Sequence, residues 1–182
     1  MAIKTFTTGE VLTASDTNAY LANSGLVFIK SQTIGSAVSS VTVSSAFSTD
    51  YDQYVITVAG GTATTSNLIQ MTLGATVTGY YEGRPGITIP GAAFAGNLTN
   101  NGAQFYIGQY TTTGKSMHTV LINPFLSTET RHFSQGYNTS TTAVAYSAGL
   151  LNNTTSYTAF TLAPLAGTWT GGTVTVYGYR KG

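Results

Sequence analysis

The sequence predicts an all-β protein, an antiparallel β-sandwich of jelly-roll type preceded by a short N-terminal arm with a helix. Three observations carry that prediction. From Gly25 onward, short runs of β-branched and aromatic residues recur between Gly, Asn, Ser and Thr, the spacing of an all-β domain. The clearest runs alternate: Val174 and Val176 oppose Thr173, Thr175 and Tyr177, and Tyr54, Ile56 and Val58 oppose Val55, Thr57 and Ala59. No helical periodicity intervenes after residue 25, so the strands must bury their apolar faces against one another as two packed sheets.

The elements follow in chain order. Residues 1–24 form an arm that differs from the rest. Thr13 with Asp16 three residues later is a capping-box-like start, and Ala14 to Asn23 then reads as a short helix stopped at Ser24-Gly25. So short a helix is unstable alone. The arm must lie on its own body, a neighbouring subunit or a partner, and Phe6, Val11, Leu12, Tyr20 and Leu21 are its candidate anchoring residues.

The body, residues 25–182, holds ten expected strands: Leu26–Gln32, Val38–Val43, Tyr54–Ala59, Leu68–Leu73, Phe105–Tyr110, Met117–Ile122, His132–Tyr137, Ala143–Leu150, Tyr157–Leu162 and Thr173–Arg180. Thr111 to Gly114 reads as a hairpin loop. The stretch from Gly74 to Gly102, rich in Gly and holding Pro85 and Pro90, reads as a long surface loop that binds something or makes subunit contacts.

Composition narrows the function. The 182 residues contain no cysteine, which excludes a disulfide framework, a zinc-thiolate site and a cysteine nucleophile. Only 7% are charged and the net charge is +1, far too little to grip a nucleic-acid backbone. No apolar run spans a bilayer, and no secretory signal stands at the start, so neither membrane nor nucleic-acid partners are expected and synthesis in a cytoplasm is. Threonine and serine supply 34 and 16 residues, which hydrate a surface without repelling neighbours. Such a surface suits a protein packed into an assembly.

The chemical motifs are sparse. His118 and His132 sit in no metal-ligand or nucleophile-elbow spacing and read as sheet or interface residues. Asp50 and Asp52 are too few for calcium and read as shaping the turn before the Tyr54 strand. Gly114-Lys115-Ser116 lacks the glycine spacing and following helix of a phosphate loop. A paired-carboxylate or Ser–His hydrolase finds no support in the spacing, so no catalytic residue, metal or cofactor is assigned. The remaining binding signal is aromatic. Tyr80, Tyr81 and Trp169 fall in or beside Gly-rich stretches, where their rings would stack on a sugar or anchor a protein contact, with Arg84 as a planar donor. The competing reading has Trp169 closing the end of the sandwich, and it is the preferred one for that residue.

The two ends carry a resemblance. Thr5-Phe6-Thr7-Thr8-Gly9-Glu10-Val11-Leu12-Thr13-Ala14, with Asn18, Tyr20 and Leu21, resembles the start of small virion proteins of tailed bacteriophages. Gly167-Thr168-Trp169-Thr170-Gly171-Gly172-Thr173-Val174-Thr175-Val176-Tyr177-Gly178 is similar to the last strand of phage fibre and decoration β-domains. The resemblance implies a non-enzymatic structural protein of the virion, commonly a homotrimer, that contacts other capsid or tail proteins. Without a stalk, capsid decoration (a head-fibre or cement role) is expected first. The alternative is a tail-fibre, tail-tip or adaptor protein whose sandwich binds a host-surface glycan through Tyr80, Tyr81, Arg84 and Trp169.

Overall fold

The computed structural model describes residues 6–17, 25–88, 93–138 and 143–181. After a helical turn, α1 (Ala14–Asp16), the described chain runs through fourteen strands. They are β1 (Leu26–Thr33), β2 (Val41–Val43), β3 (Tyr51–Ala59), β4 (Thr62–Ala63), β5 (Asn67–Leu73), β6 (Tyr80–Thr88) and β7 (Ala93–Gly102). The rest are β8 (Phe105–Thr111), β9 (Gly114–Ile122), β10 (Thr130–Asn138), β11 (Ala143–Leu151), β12 (Phe160–Pro164), β13 (Trp169–Thr170) and β14 (Thr173–Arg180).

The pairings are all antiparallel and lay out two layers. The longer runs β1-β14-β3-β9-β10-β11-β6-β7, and the shorter runs β2-β12-β5-β8. They join at the β8–β9 hairpin, where Thr111 faces Gly114 across the Thr112-Thr113 loop. One edge of β9 pairs with β8 at Lys115 and Ser116 and with β10 from His118 onward, so the layers part there and fold face to face. This is an antiparallel sandwich, as the alternation predicts; the pairings do not carry a specifically jelly-roll order.

Alternation decides the core. In β9, Lys115, Met117, Thr119 and Leu121 point inward while Ser116 and His118 face solvent. Tyr54, Ile56, Val58, Val174 and Val176 join them from the long layer; Val43, Ile69, Met71, Leu73, Phe105, Ile107, Phe160 and Leu162 answer from the short one. Gly136 is required by this packing: a Cβ there would lie 3.0 Å from the Gln109 nitrogen and 3.2 Å from the Gly108 Cα. β8 crosses β10 that closely only because both positions lack side chains.

Three sequence expectations need correction. Gly74 to Gly102 is no loop: β6 and β7 form a hairpin within it, from Tyr80↔Gly102 to Thr88↔Ala93. Glycines and Pro85 hide its apolar alternation, and its stability comes from β11 pairing along β6. The expected strand Val38–Val43 begins at Val41, with Val38 forming a lone bridge to Trp169. Tyr157 is buried ahead of β12, which starts at Phe160.

The capping box is present: the Thr13 hydroxyl accepts from the Asp16 N–H at 3.1 Å and the Asp16 carboxylate accepts from the Thr13 N–H at 3.2 Å. The remainder of the expected helix, to Asn23, lies outside the described residues.

Candidate functional site

Adjacent registers bring polar residues onto the inner face of the long layer. One cross-strand row runs Glu82–Gly149–His132–Leu121, and the next holds Ser134 and Thr119. Glu82 is the hub. Its Oε2 accepts from the Tyr106 N–H at 2.9 Å and lies 3.5 Å from His132 Nε2. Its Oε1 accepts from Thr99 at 3.3 Å and meets Arg84 Nε at 3.1 Å. His132 Nδ1 contacts Ser134 Oγ at 3.1 Å, and Ser134 shares a 2.9 Å hydrogen bond with Thr119. Acid, imidazole and hydroxyl thus stand in file, yet all three are buried and each is engaged by its neighbours. Burying a carboxylate requires such compensation. The file holds β6, β8 and β10 together.

Beside it lies a pocket of about 200 Å³ between β8 and the β10-β11-β6 part of the long layer. Pairing of β6 with β11 is interrupted at Arg84-Pro85, opposite Tyr146-Ser147, because Pro85 has no N–H to give the ladder. Arg84, Tyr106, Gln109, Ser134, Tyr146 and Ser147 line the opening. The Arg84 guanidinium lies 4.2 Å above the Tyr106 ring, clamped there by Glu82.

The expected glycan contacts separate. Arg84 lines the pocket, and Tyr81 is half-buried on the opposite face of β6. Tyr80 is a core residue, not a surface platform. Its ring meets Phe105 edge-on at 4.7 Å, and its hydroxyl accepts from the Leu73 N–H at 2.9 Å and donates to the Thr76 carbonyl at 3.2 Å. Trp169 is also fully buried and closes the end of the sandwich, edge-on to Tyr110 at 5.6 Å. Inward alternation on a paired strand removes both rings from any ligand. Asp50 shapes its turn through Ser48 as expected, and Asp52 pairs with Lys181 at 2.7 Å. Among the described residues, no three His, Asp or Glu side chains gather as a metal cluster.

Burial pushes the Tyr80 phenol up to about 12, from an ordinary value of 10. The unfolded chain therefore releases this proton first. Tyr80's contribution is whole below pH 10 and is lost as pH rises toward 12, about 2–3 kcal/mol in all. Desolvation lowers Lys115, whose contribution has the opposite sign: it is present above the ordinary lysine value and lost as pH falls through the folded one. Urea unfolding from pH 9 to 12 should show the wild type losing stability more steeply than Tyr80→Phe. Equal slopes would refute the assignment.

Sequence reasoning missed Lys115. Its ammonium is buried against carbonyls of Thr62 at 2.9 Å, Gly171 at 3.1 Å and Gly60 at 3.5 Å. Gly60, Gly61, Gly171 and Gly172 all have positive φ and turn these carbonyls inward.

It also missed an apolar row on the outer face of the long layer. The registers align Phe28–Tyr177–Val55–Val120–Phe133–Ala148–Gly83–Leu98 across all eight strands. Phe28 is 57% exposed, Phe133 55% and Leu98 87%. In the arm, Phe6, Val11 and Leu12 are likewise exposed, while Tyr20 and Leu21 lie outside the described residues.

Fold and surface together describe an all-β sandwich with Phe28, Phe133 and Leu98 exposed on one outer face, a small and largely apolar pocket beside Arg84, and an arm that exposes Phe6, Val11 and Leu12. Compared with known proteins, the chain matches no family model and no curated sequence.

Proposed function

We propose that this chain is a non-enzymatic structural protein of a tailed-bacteriophage virion, a capsid decoration protein held to the particle by its N-terminal arm. The apolar row across the outer face carries the assembly part of this reading. Eight strands at ~4.8 Å spacing make a face about 35–40 Å wide. A soluble monomer gains nothing by displaying aligned phenyl and leucine side chains there. A second copy covering them fits the homotrimer that the ends of the sequence imply. The arm adds to this: burying Val11 and Leu12 against another virion protein is worth roughly 1.5–3 kcal/mol each. The resemblance of residues 5–21 and 167–178 to phage proteins supplies the virion part. The pocket at Arg84 favours a second reading, a tail-fibre, tail-tip or adaptor domain that binds a host-surface glycan.

Sedimentation velocity tests the assembly part. Wild type should sediment as an oligomer and Phe28→Ser/Leu98→Ser/Phe133→Ser as a monomer with an unchanged thermal midpoint, since these side chains are exposed in the single chain. A monomeric wild type would refute it. Removal of residues 1–24 should leave the body cooperatively folded yet abolish co-sedimentation with phage particles; full retention on the particle would rule out the arm as anchor.

A further inference from the structure

We infer that the pocket beside Arg84 binds one sugar ring carrying a carboxylate, a hexuronate, with the Arg84 fork on the acid group. Four observations converge. First, Arg84 is preorganised: Glu82 engages Nε at 3.1 Å and Tyr106 lies beneath the plane at 4.2 Å, which leaves the terminal amino groups without a protein partner among the described residues. A planar fork of parallel N–H donors matches a carboxylate bidentately. Second, the wall holds unmet polar atoms. Ser147 is 4% exposed and its Oγ has no hydrogen-bond partner, and Gln109 Oε1 is equally buried and unpartnered. Orphaned buried groups of this kind are costly unless something fills them. Both residues line the pocket, and sugar hydroxyls have the donor that an amide oxygen needs and the acceptor that a serine hydroxyl needs.

Third, the rest of the wall is largely apolar, with Ile107 and the Tyr106 ring that Arg84 lies against, a surface that suits the C–H face of a pyranose. Fourth, a volume of about 200 Å³ leaves room for a single sugar ring. The cluster's own charge selects the ligand's. Glu82 already occupies the inner side of Arg84, so a cationic ligand meets a guanidinium, while a carboxylate completes its remaining side. The pocket shares no residue with the arm or with exposed Phe28, Phe133 and Leu98, so its test is independent of the assembly reading.

The experiment is titration of the purified protein with D-glucuronate, with D-glucose and acetate as comparison probes, followed by amide chemical shifts. Glucuronate should shift Tyr106, Gly108, Gln109 and Ser147 saturably, at a Kd at least about tenfold below those of glucose and acetate. Arg84→Lys keeps the charge and loses the fork, and should weaken glucuronate about tenfold or more. No saturable shift, shifts elsewhere on the protein, or an Arg84→Lys variant that binds like wild type would each overturn the proposal. Equal binding of glucose and glucuronate would overturn the carboxylate as the selecting group.

Discussion

Trp169→Ala is expected to destabilise the fold by about 3–5 kcal/mol, the cost of emptying a fully buried aromatic site. Position, more than size, makes the effect large. Trp169 exchanges backbone hydrogen bonds of 2.9 Å with Val38 in both directions, and its strand pairs with β4, so it ties three segments at one end of the sandwich. Its ring packs on Tyr110 and lies 5.7 Å from the Lys115 ammonium. Alanine would open a cavity beside a buried charge and admit water to a group now held by carbonyls. Trp169→Phe should cost only about 1–2 kcal/mol, because the indole N–H has no partner to lose. Urea midpoints at constant m-value measure both. A Trp169→Ala loss below about 1 kcal/mol would show that the ring closes nothing.

The second large effect belongs to Glu82. Glu82→Leu should cost about 3–5 kcal/mol, since it strands the Tyr106 N–H and the buried His132 ring nitrogen and leaves the partly covered Arg84 guanidinium without its counter-charge. The loss should lie in the groups left behind, not in the carboxylate itself. Glu82→Leu combined with Arg84→Met should therefore recover part of it, as removing a whole buried pair is milder than removing half. Glu82→Gln keeps an acceptor for the Tyr106 N–H and should fall between wild type and Glu82→Leu. If the double variant is less stable than Glu82→Leu by the full cost of a second independent mutation, the two residues are not coupled.

The strongest strands were legible because period-two alternation needs no knowledge of neighbours. Thr173–Arg180 has the bounds the sequence predicts, and the hairpin loop at Thr111 to Gly114 follows from flanking alternation alone. The β6–β7 hairpin was not legible, for a physical reason. Its glycines and Pro85 have poor strand propensity, and it exists because β11 offers a full ladder to one side of it. That same misreading sent Tyr80 to the surface. Once β6 is a strand, Tyr80, Glu82 and Arg84 share its inner face and Tyr81 takes the outer one.

Arg84 alone among the proposed glycan contacts lines the pocket, and its partners could not be read from spacing. Glu82, Tyr106, His132 and Ser147 come from four strands scattered over 66 positions. The apolar row was half visible. Alternation in β10 puts Phe133 with the outward Arg131, an exposed phenyl by sequence alone. Its alignment with Phe28 and Leu98 required register, which depends on strands far apart in the chain.

By itself the sequence determined what local chemistry can determine: strand-forming runs, the Thr13–Asp16 cap, an uncharged hydroxyl-rich surface and an arm with too little to bury. Tertiary structure alone decided which strands became neighbours, and with that which glycines let β8 cross β10, where Pro85 broke a ladder, and which polar atoms were sealed in without partners. The physical reason is that a side chain's direction repeats every two residues, whereas its surroundings are set by hydrogen-bonded registers between distant segments.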